Sequence, residues 1–328
     1  GSVSVDGSKI QANASKHAAV SYARAGEMLA QLELEVQELM TRAQQAEAQE
    51  QKDGLDLPAE LARRADRKAA LQQARQIIEA RAKELAAAQQ PAYEAKQVRR
   101  QEQRDAGKKP RGPEPTPPSA TPDPKAQYNF TDPESRIMKA GSGQHFEQSY
   151  NAQAVVDQAM IIVGERVSVA ANDKQELAPT VAAICPVVAP EVTAVLTDSG
   201  FYSEGAVQAV EQKADGTPTG MTVFAAVEKT DHHKTIADLL PQPEPAAPAP
   251  EATAKEKMAH RLQTKIGKEL YKLRKQTVEP VFGIIKEVMG FRRFSLRGHA
   301  KVSLEWTLLC VSYNLKRLFT LKNLALTA

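Results

Sequence analysis

A chain of 328 residues with a net charge of +3 is long enough to bury a sizeable core and to make about two domains. The slight charge excludes a polycation, and Cys185 and Cys310 are too few for a disulfide framework or a zinc site, which fits a reducing compartment. No run of about 18 apolar residues is present to span a membrane, and the opening GSVSVDGSKIQ is strand-like rather than a signal peptide.

That opening lacks a methionine, so Gly1-Ser2 reads as a cloning scar and the chain as the later part of a longer protein. Val3, Val5 and Ile10 alternate, predicting a strand over residues 2–12 with Asp6-Gly7 in it. From about Ala18 the composition turns to Ala, Gln, Glu, Leu, Lys and Arg. Met28, Leu29, Leu32, Val36, Leu39 and Ala43 keep helical spacing. Asp53-Gly54 breaks the pattern and Pro58 suits the first turn of a second helix, carried by Leu61, Ala65, Leu71, Ile78 and Leu85 to about Gln90. The two together predict a long antiparallel helical hairpin over residues 19–106, with a third, basic helix from Tyr93 to Arg104. Residues 107–126 are rich in Pro, Lys, Gly, Ser and Thr and read as a disordered linker.

A β-rich stretch follows. Tyr150, Ala152, Ala154 and Val156 alternate, Asp157-Gln158 interrupts, and Met160–Val169 is β-prone, which predicts a hairpin. Asn172-Asp173 is expected to cap a helix bearing Leu177, Val181 and Ile184. Val192–Thr197 reads as a buried strand, followed by a helix from Glu204 to about Lys213 and a strand over Met221–Val227. A Pro/Ala linker covers 241–255, and helices are expected over 256–274, 277–289 and 299–319, with Trp306, Leu308, Leu309 and Val311 in the core. The order describes an α/β core over 127–240, opened by a strand in 1–18, interrupted by the helical excursion and completed by helices in 256–328.

Asp198 ends a buried strand and precedes Ser199-Gly200, where open α/β sheets bind ligands; capping the following turn is the competing role. Asp6 has a similar setting. Asp157 follows two valines but lies at a hairpin tip, where a turn residue is expected. Near the C-terminus, Val278, Phe282, Ile285 and Met289 mark an apolar helix face, with Glu279 off that stripe and Lys286 two turns on. Pro280 makes Glu279 either a helix start or a bend. Tyr271, Arg274, Lys275, Arg292, Arg293 and Arg297 surround it, and the excess of positive charge from Lys255 to Arg317 suits a polyanion. Three acids on two strands and a helix meet the needs of a two-metal phosphoryl-transfer site with Mg²⁺. Phe291 and Phe294 read as packing residues before base-stacking ones. Asp231-His232-His233 reads as a solvated loop, Gly141-Ser142-Gly143 as a turn and Cys185 as buried.

VSVDGSKIQANASKH, YNAQAVVDQAMIIV with VAANDKQEL, LTDSGFYSE and YKLRKQTVEPVFGIIKEVMGFRRFSLRGHAKVSLEWTLLCVSYNLKRL occur in one order, and in that order they resemble bacterial insertion-sequence transposases of the DDE class. The resemblance implies an RNase H-like mixed sheet flanked by helices, with the helical hairpin inserted after its first strand. It implies Asp6, Asp198 and Glu279 as catalytic acids and ligands of two Mg²⁺ (or Mn²⁺) ions, with Asp157 a rival for the first. It further implies a Tyr, a basic residue and a Lys around the third acid, here Tyr271, Arg274 or Lys275, and Lys286, although the Tyr-to-Glu spacing is one residue longer than the commoner pattern. Expected partners are the double-stranded DNA of transposon ends and target, and a second copy of the chain, in the nucleoid-associated bacterial cytoplasm. Arg274, Lys275, Lys286, Arg292, Arg293 and Arg297 would hold phosphates. A non-catalytic DNA- or protein-binding relative and a hydrolysis-only RNase H-like nuclease are the alternative functions.

Overall fold

Alternation along the first strand decides how the core is layered. In the computed structural model, which describes residues 1–49, 57–110, 112–139, 145–228 and 245–327, β1 runs Ser2–Gln11. Successive side chains of a strand point to opposite faces. Val3 and Val5 pack on one face with Leu177, Val181, Phe201 and Val210. Ile10 joins Tyr150, Val278, Phe282 and Trp306 on the other. Asp6 shares the parity of Ser4 and Ile10, so it projects toward the second, C-terminal layer of helices.

The chain divides into two compact units, residues 1–16 with 134–328 and residues 17–133. The first holds a mixed α/β sheet. β5 (Phe146–Asp157) pairs antiparallel with β1, with Asp6 opposite Ala154. Its other edge takes β4 (Arg136–Lys139) and β6 (Ile162–Ser168), both antiparallel. On the far side of β1 lie β7 (Ala194–Thr197) and β8 (Thr222–Ala225), both parallel. β7 pairs only with Ser2–Ser4. Beyond Ser4 the β7 side of β1 is therefore open, and Asp6 lies just past the carboxyl end of β7, where Asp198 follows.

Among the described residues of this unit the helices are α3 (Leu177–Ala182), α4 (Glu204–Glu211), α5 (Ala254–Gln263), α6 (Lys265–Gly283) and α7 (His299–Thr327). The break expected near residues 275–276 occurs instead at Thr264, whose hydroxyl accepts from the Gly267 amide at 3.0 Å and caps α6. A glycine is needed there because a Cβ at Gly267 would stand 2.0 Å from the Arg261 carbonyl oxygen. Glu279 is thus not at a helix start: α6 continues through Pro280. A π-turn over Ile284–Val288 then ends the element, with the Met289 amide donating to the Ile284 carbonyl at 2.9 Å.

The helix expected from Asn172-Asp173 is shorter, starting at Leu177, and Asp173 does not cap it. The residue is committed elsewhere: its carboxylate accepts from Asn151, Gln153 and Lys9. Asp157 is a turn residue, its carboxylate accepting from the Ile161 amide at 2.8 Å. Cys185 is exposed rather than buried, although its amide is tied to the Val163 carbonyl. On α7, Trp306 is in the core, with its indole N–H donating to the Gln153 carbonyl at 3.1 Å. Leu308 and Val311, expected beside it, are 60% and 50% exposed because they lie on the opposite side of the helix.

The second unit contains α1 (Tyr22–Gln49) and α2 (Leu57–Asp105), with a short β2 (Ala19–Ser21) paired antiparallel to β3 (Gln127–Asn129). Leu32 on α1 and Leu71, Ala74 and Ile78 on α2 form a buried seam. Glu35–Arg64 (3.1 Å) and Glu33–Lys68 (3.0 Å) pair across it. The expected third helix is the continuation of α2, which passes through Pro91. One lost amide donor is tolerated where Ala, Gln, Glu, Lys and Arg on both sides favour helix. Residues 107–126 contain no helix or strand among those described, and Glu114 pairs with Arg100 at 3.4 Å and with Arg104. The Asp53-Gly54, Gly141–Gly143 and Asp231–His233 stretches, and the first part of the 241–255 linker, lie outside the described residues.

Truncating Trp306 to Ala removes a fully buried ring that stacks on Phe282 at 6.1 Å between centroids. Urea denaturation of that variant is expected to give an unfolding free energy lower by about 3–5 kcal/mol.

Candidate functional site

A single guanidinium organises this region. Arg274, on the third turn of α6 and only 7% exposed, reaches three carboxylates from three different elements. Its Nη1 donates to Glu279 Oε1 at 2.8 Å and its Nη2 to Asp6 Oδ2 at 3.3 Å. Asp198 Oδ2 lies 3.8 Å from the same Nη2. The acids on β1, after β7 and on α6 are thereby brought around one point, although 192 and 81 residues separate successive members in the sequence. The arginine fork suits several carboxylate oxygens at once, which a lysine ammonium does not. Arg274 Nε is buried without a hydrogen-bond partner.

Each acid is aimed by local backbone structure. Asp6 Oδ1 accepts from the Gly7 amide at 2.8 Å. A Cβ at Gly7 would stand 2.3 Å from Gln153 Nε2, so glycine lets the Gln153 side chain pass beside the acid. Asp198 Oδ1 accepts from the Gly200 amide at 2.8 Å, a turn that leaves Oδ2 for Arg274. Both readings of Asp198 from sequence, turn cap and strand-end acid, therefore describe the same side chain. The helix under Glu279 is fixed by Val278, Val281 and Phe282, all buried, and by Thr277, whose hydroxyl donates to Ser4 Oγ at 2.8 Å.

Burial is the main perturbation of Asp6 and pushes its pKa up to about 7. Arg274 lowers it, and Asp198, then Asp173, raise it. Three carboxylates thus share one buried cation, and desolvation leaves one of them reluctant to carry its charge. Lys286, which the π-turn carries, is held below the usual lysine range by burial and by Arg292, against an opposing pull from Asp6. Tyr271 donates its hydroxyl to the Thr197 carbonyl at 3.2 Å. Burial raises its pKa, with Arg274 opposing and Asp198 and Glu279 adding to the rise.

The remaining basic residues are arranged differently. Lys275 is exposed on α6, one residue from Arg274 but outside the carboxylate cluster. Arg292, Arg293 and Arg297 are exposed: Arg292 pairs with Glu287, while Arg293 and Arg297 donate to the side chain and carbonyl of Asn13 at 2.7 and 2.9 Å. Phe294 is 1% exposed and meets Phe291 edge-on at 5.3 Å, which makes this pair packing.

One cluster escaped the sequence reading. Asp173 Oδ1 accepts from Asn151 Nδ2 at 2.7 Å, Gln153 Nε2 at 2.9 Å and Lys9 Nζ at 3.3 Å. Its field reaches Asp6. The available signal was the polar spacing of Asn151 and Gln153 in an otherwise apolar strand.

Among the described residues no group of three His, Cys, Asp or Glu side chains is already disposed to hold a metal ion. The chemistry of the donor set nevertheless fits a hard divalent cation: three carboxylates, one of them disfavoured as an anion by burial, balanced by a single positive charge.

The Asp6 pKa has a consequence for stability. Because the folded state holds this proton up to about pH 7, it binds more protons than the unfolded chain between about pH 4 and pH 7, and stability falls as pH rises through that window. Asp6→Asn, which keeps the shape without the charge, is expected to raise Tm at about pH 8.5 by several degrees and to leave it nearly unchanged at about pH 5; thermal melts of both proteins in metal-free buffer check this.

No curated protein and no solved structure matches the chain. No helix among the described residues is long and apolar enough to cross a membrane. Residues 246–319, a stretch that contains α5, α6 with Glu279 and Arg274, and most of α7, match the family model described as the transposase DDE domain. That match covers 74 of the 328 residues and makes this segment, with Arg274 and Glu279, similar to DDE-class transposases.

Proposed function

We propose that the protein is a DNA transposase that cleaves DNA at insertion-sequence ends and joins the freed 3′-hydroxyl to target DNA, with Asp6, Asp198 and Glu279 as its catalytic acids. The observation that carries this reading is the convergence of the three acids on Arg274. The sheet supports it as well. The order β6-β5-β1-β7-β8, with β5 antiparallel to β1 and β1, β7 and β8 parallel, is the arrangement expected of an RNase H-like core. On this reading residues 17–133 are an insertion after the first core strand.

DDE transposases as a family generally use divalent metal ions, and the residues that would hold Mg²⁺ or Mn²⁺ here, as a pair of ions, are Asp6, Asp198 and Glu279. When bound, such ions supply activation of an attacking water or hydroxyl and stabilisation of the leaving oxygen. The protein's own groups do the rest. Asp6, whose pKa is raised chiefly by burial, would hold such an ion as the deprotonated carboxylate. Arg274, relieved of part of its role as counter-ion, keeps a fork of donors for a phosphate oxygen. Lys286, half-buried with its charge disfavoured, gains from an incoming phosphate what burial costs it. Tyr271 holds the end of β7 through the Thr197 carbonyl, fixing Asp198 one residue on. Exposed Lys275, Arg292, Arg293 and Arg297 contact the duplex backbone, which positions DNA without reading sequence.

A cleavage and strand-joining assay on transposon-end DNA with Mg²⁺ tests the proposal. Asp198→Ala is expected to abolish cleavage and leave DNA affinity within about twofold; full activity in that variant would remove the site assignment. Cleavage without joining by the unaltered protein would instead identify a hydrolytic nuclease. Replacing Arg292 and Arg293 together by Ala should weaken DNA binding and reduce the slope of log K against log salt by about 2. An unchanged slope in fluorescence-anisotropy titrations would take the interface away from these residues.

A further inference from the structure

The sheet uses only one side of α7. Val302, Trp306, Cys310 and Tyr313 are buried among the C-terminal core residues. On the other side Leu304, Leu308, Val311, Leu315, Leu318 and Phe319 are 50–66% exposed. From Leu304 to Leu318 the steps are four, three, four and three residues. That is the period of a helix seam meeting another helix, in which side chains at the first and fourth positions of a heptad fill holes on the partner. A helix on the surface of a soluble monomer normally carries charged residues here.

We infer that this face of α7 is the contact through which two copies of the chain associate as an antiparallel helix pair. The spacing is itself two-fold symmetric. Turned about the point midway between Val311 and Ser312, Leu304 falls opposite Phe319 and Leu308 opposite Leu315, so the patch is complementary to itself, the condition for an isologous dimer contact. Its size points the same way. The stripe runs about 20 Å along the helix and is about 10 Å wide. With six large side chains half or more exposed, it belongs with the largest apolar patches of monomers, about 300–600 Å². Lys301 and Lys322 fall one heptad step beyond each end of the stripe and bound the contact to the segment between them. A nucleic acid fits poorly here, because the stripe itself has no cation. The contact does not depend on what the carboxylate site does, since no member of that cluster is on α7.

The mass of the full chain in solution, without DNA, tests this. Light scattering at micromolar concentration is expected to give twice the mass of one chain for the unaltered protein and the mass of one chain for Leu308→Glu/Leu315→Glu. Circular dichroism should show unchanged helical content in the variant, because both positions are exposed. In a Cys185→Ser background, Val311→Cys should form a disulfide-linked dimer under mild oxidation, with the link lost when the two Glu substitutions are added. A monomeric unaltered protein would overturn the inference and leave another partner as the occupant of this face. A dimer that survives both Glu substitutions would overturn it too, by putting the interface elsewhere.

Discussion

Charge compensation in a buried place is what the first unit is built to manage. Withdrawing Asp6 from water is unfavourable for its charge, and Asp198 beside it adds to the cost, while the Asp198 and Glu279 side chains stay 41% and 46% exposed. Arg274 makes the arrangement tolerable because its planar fork offers donors to separate carboxylates from one position. The geometry then depends on how Arg274 is held. Packing of Val278, Val281 and Phe282 fixes the helix, and the Thr277–Ser4 hydrogen bond ties that helix to the strand bearing Asp6. β7 and β1 are paired only as far as Ser4, so Asp6 and Asp198 stand where the two strands part.

One arginine opposite three carboxylates is an incomplete balance, and the incompleteness is chemically useful. A site fully neutralised by side chains would gain little from a bound cation. Here burial raises the Asp6 pKa to about 7, so this carboxyl keeps its proton far above the usual carboxylate range. The π-turn after α6 adds a second element of this kind, because it carries a half-buried lysine whose charge is disfavoured toward the same region. Single π-turns are frequent at functional positions.

Much of this could be read from the sequence wherever one local rule dominated. Period-two alternation marked β1 and β5, β-prone composition marked β6, and the continuous apolar run marked β7, because each strand packs against a helix layer. Asp157 could be recognised as a turn residue for the same reason. Misreadings arose where tertiary structure outweighed a local signal. The second helix is expected to stop near Gln90 and Pro280 to mark a start or a bend, yet strong helix formers around Pro91 and core packing around Pro280 carry both helices through. Asp173 looks like a cap, but three side-chain donors from β1 and β5 claim its carboxylate. Leu308 and Val311 are apolar, and hydrophobicity alone does not say which side of α7 meets the sheet. The choice between Arg274 and Lys275, adjacent in sequence and alike in charge, turns on helix phase: the first points inward and the second outward.

The pairing of β2 with β3 has a consequence for how the chain finds its fold. β1 must pair with β5 across more than a hundred intervening residues, and contacts between such distant segments are slow to form because closing the loop costs entropy before any contact repays it. Ala19 lies opposite Asn129, so once residues 17–133 have organised themselves their entry and exit are neighbours. The effective loop that β1 and β5 have left to close then shrinks to 23 residues, 12–18 and 130–145, and most of the excursion ceases to be a kinetic burden on the sheet.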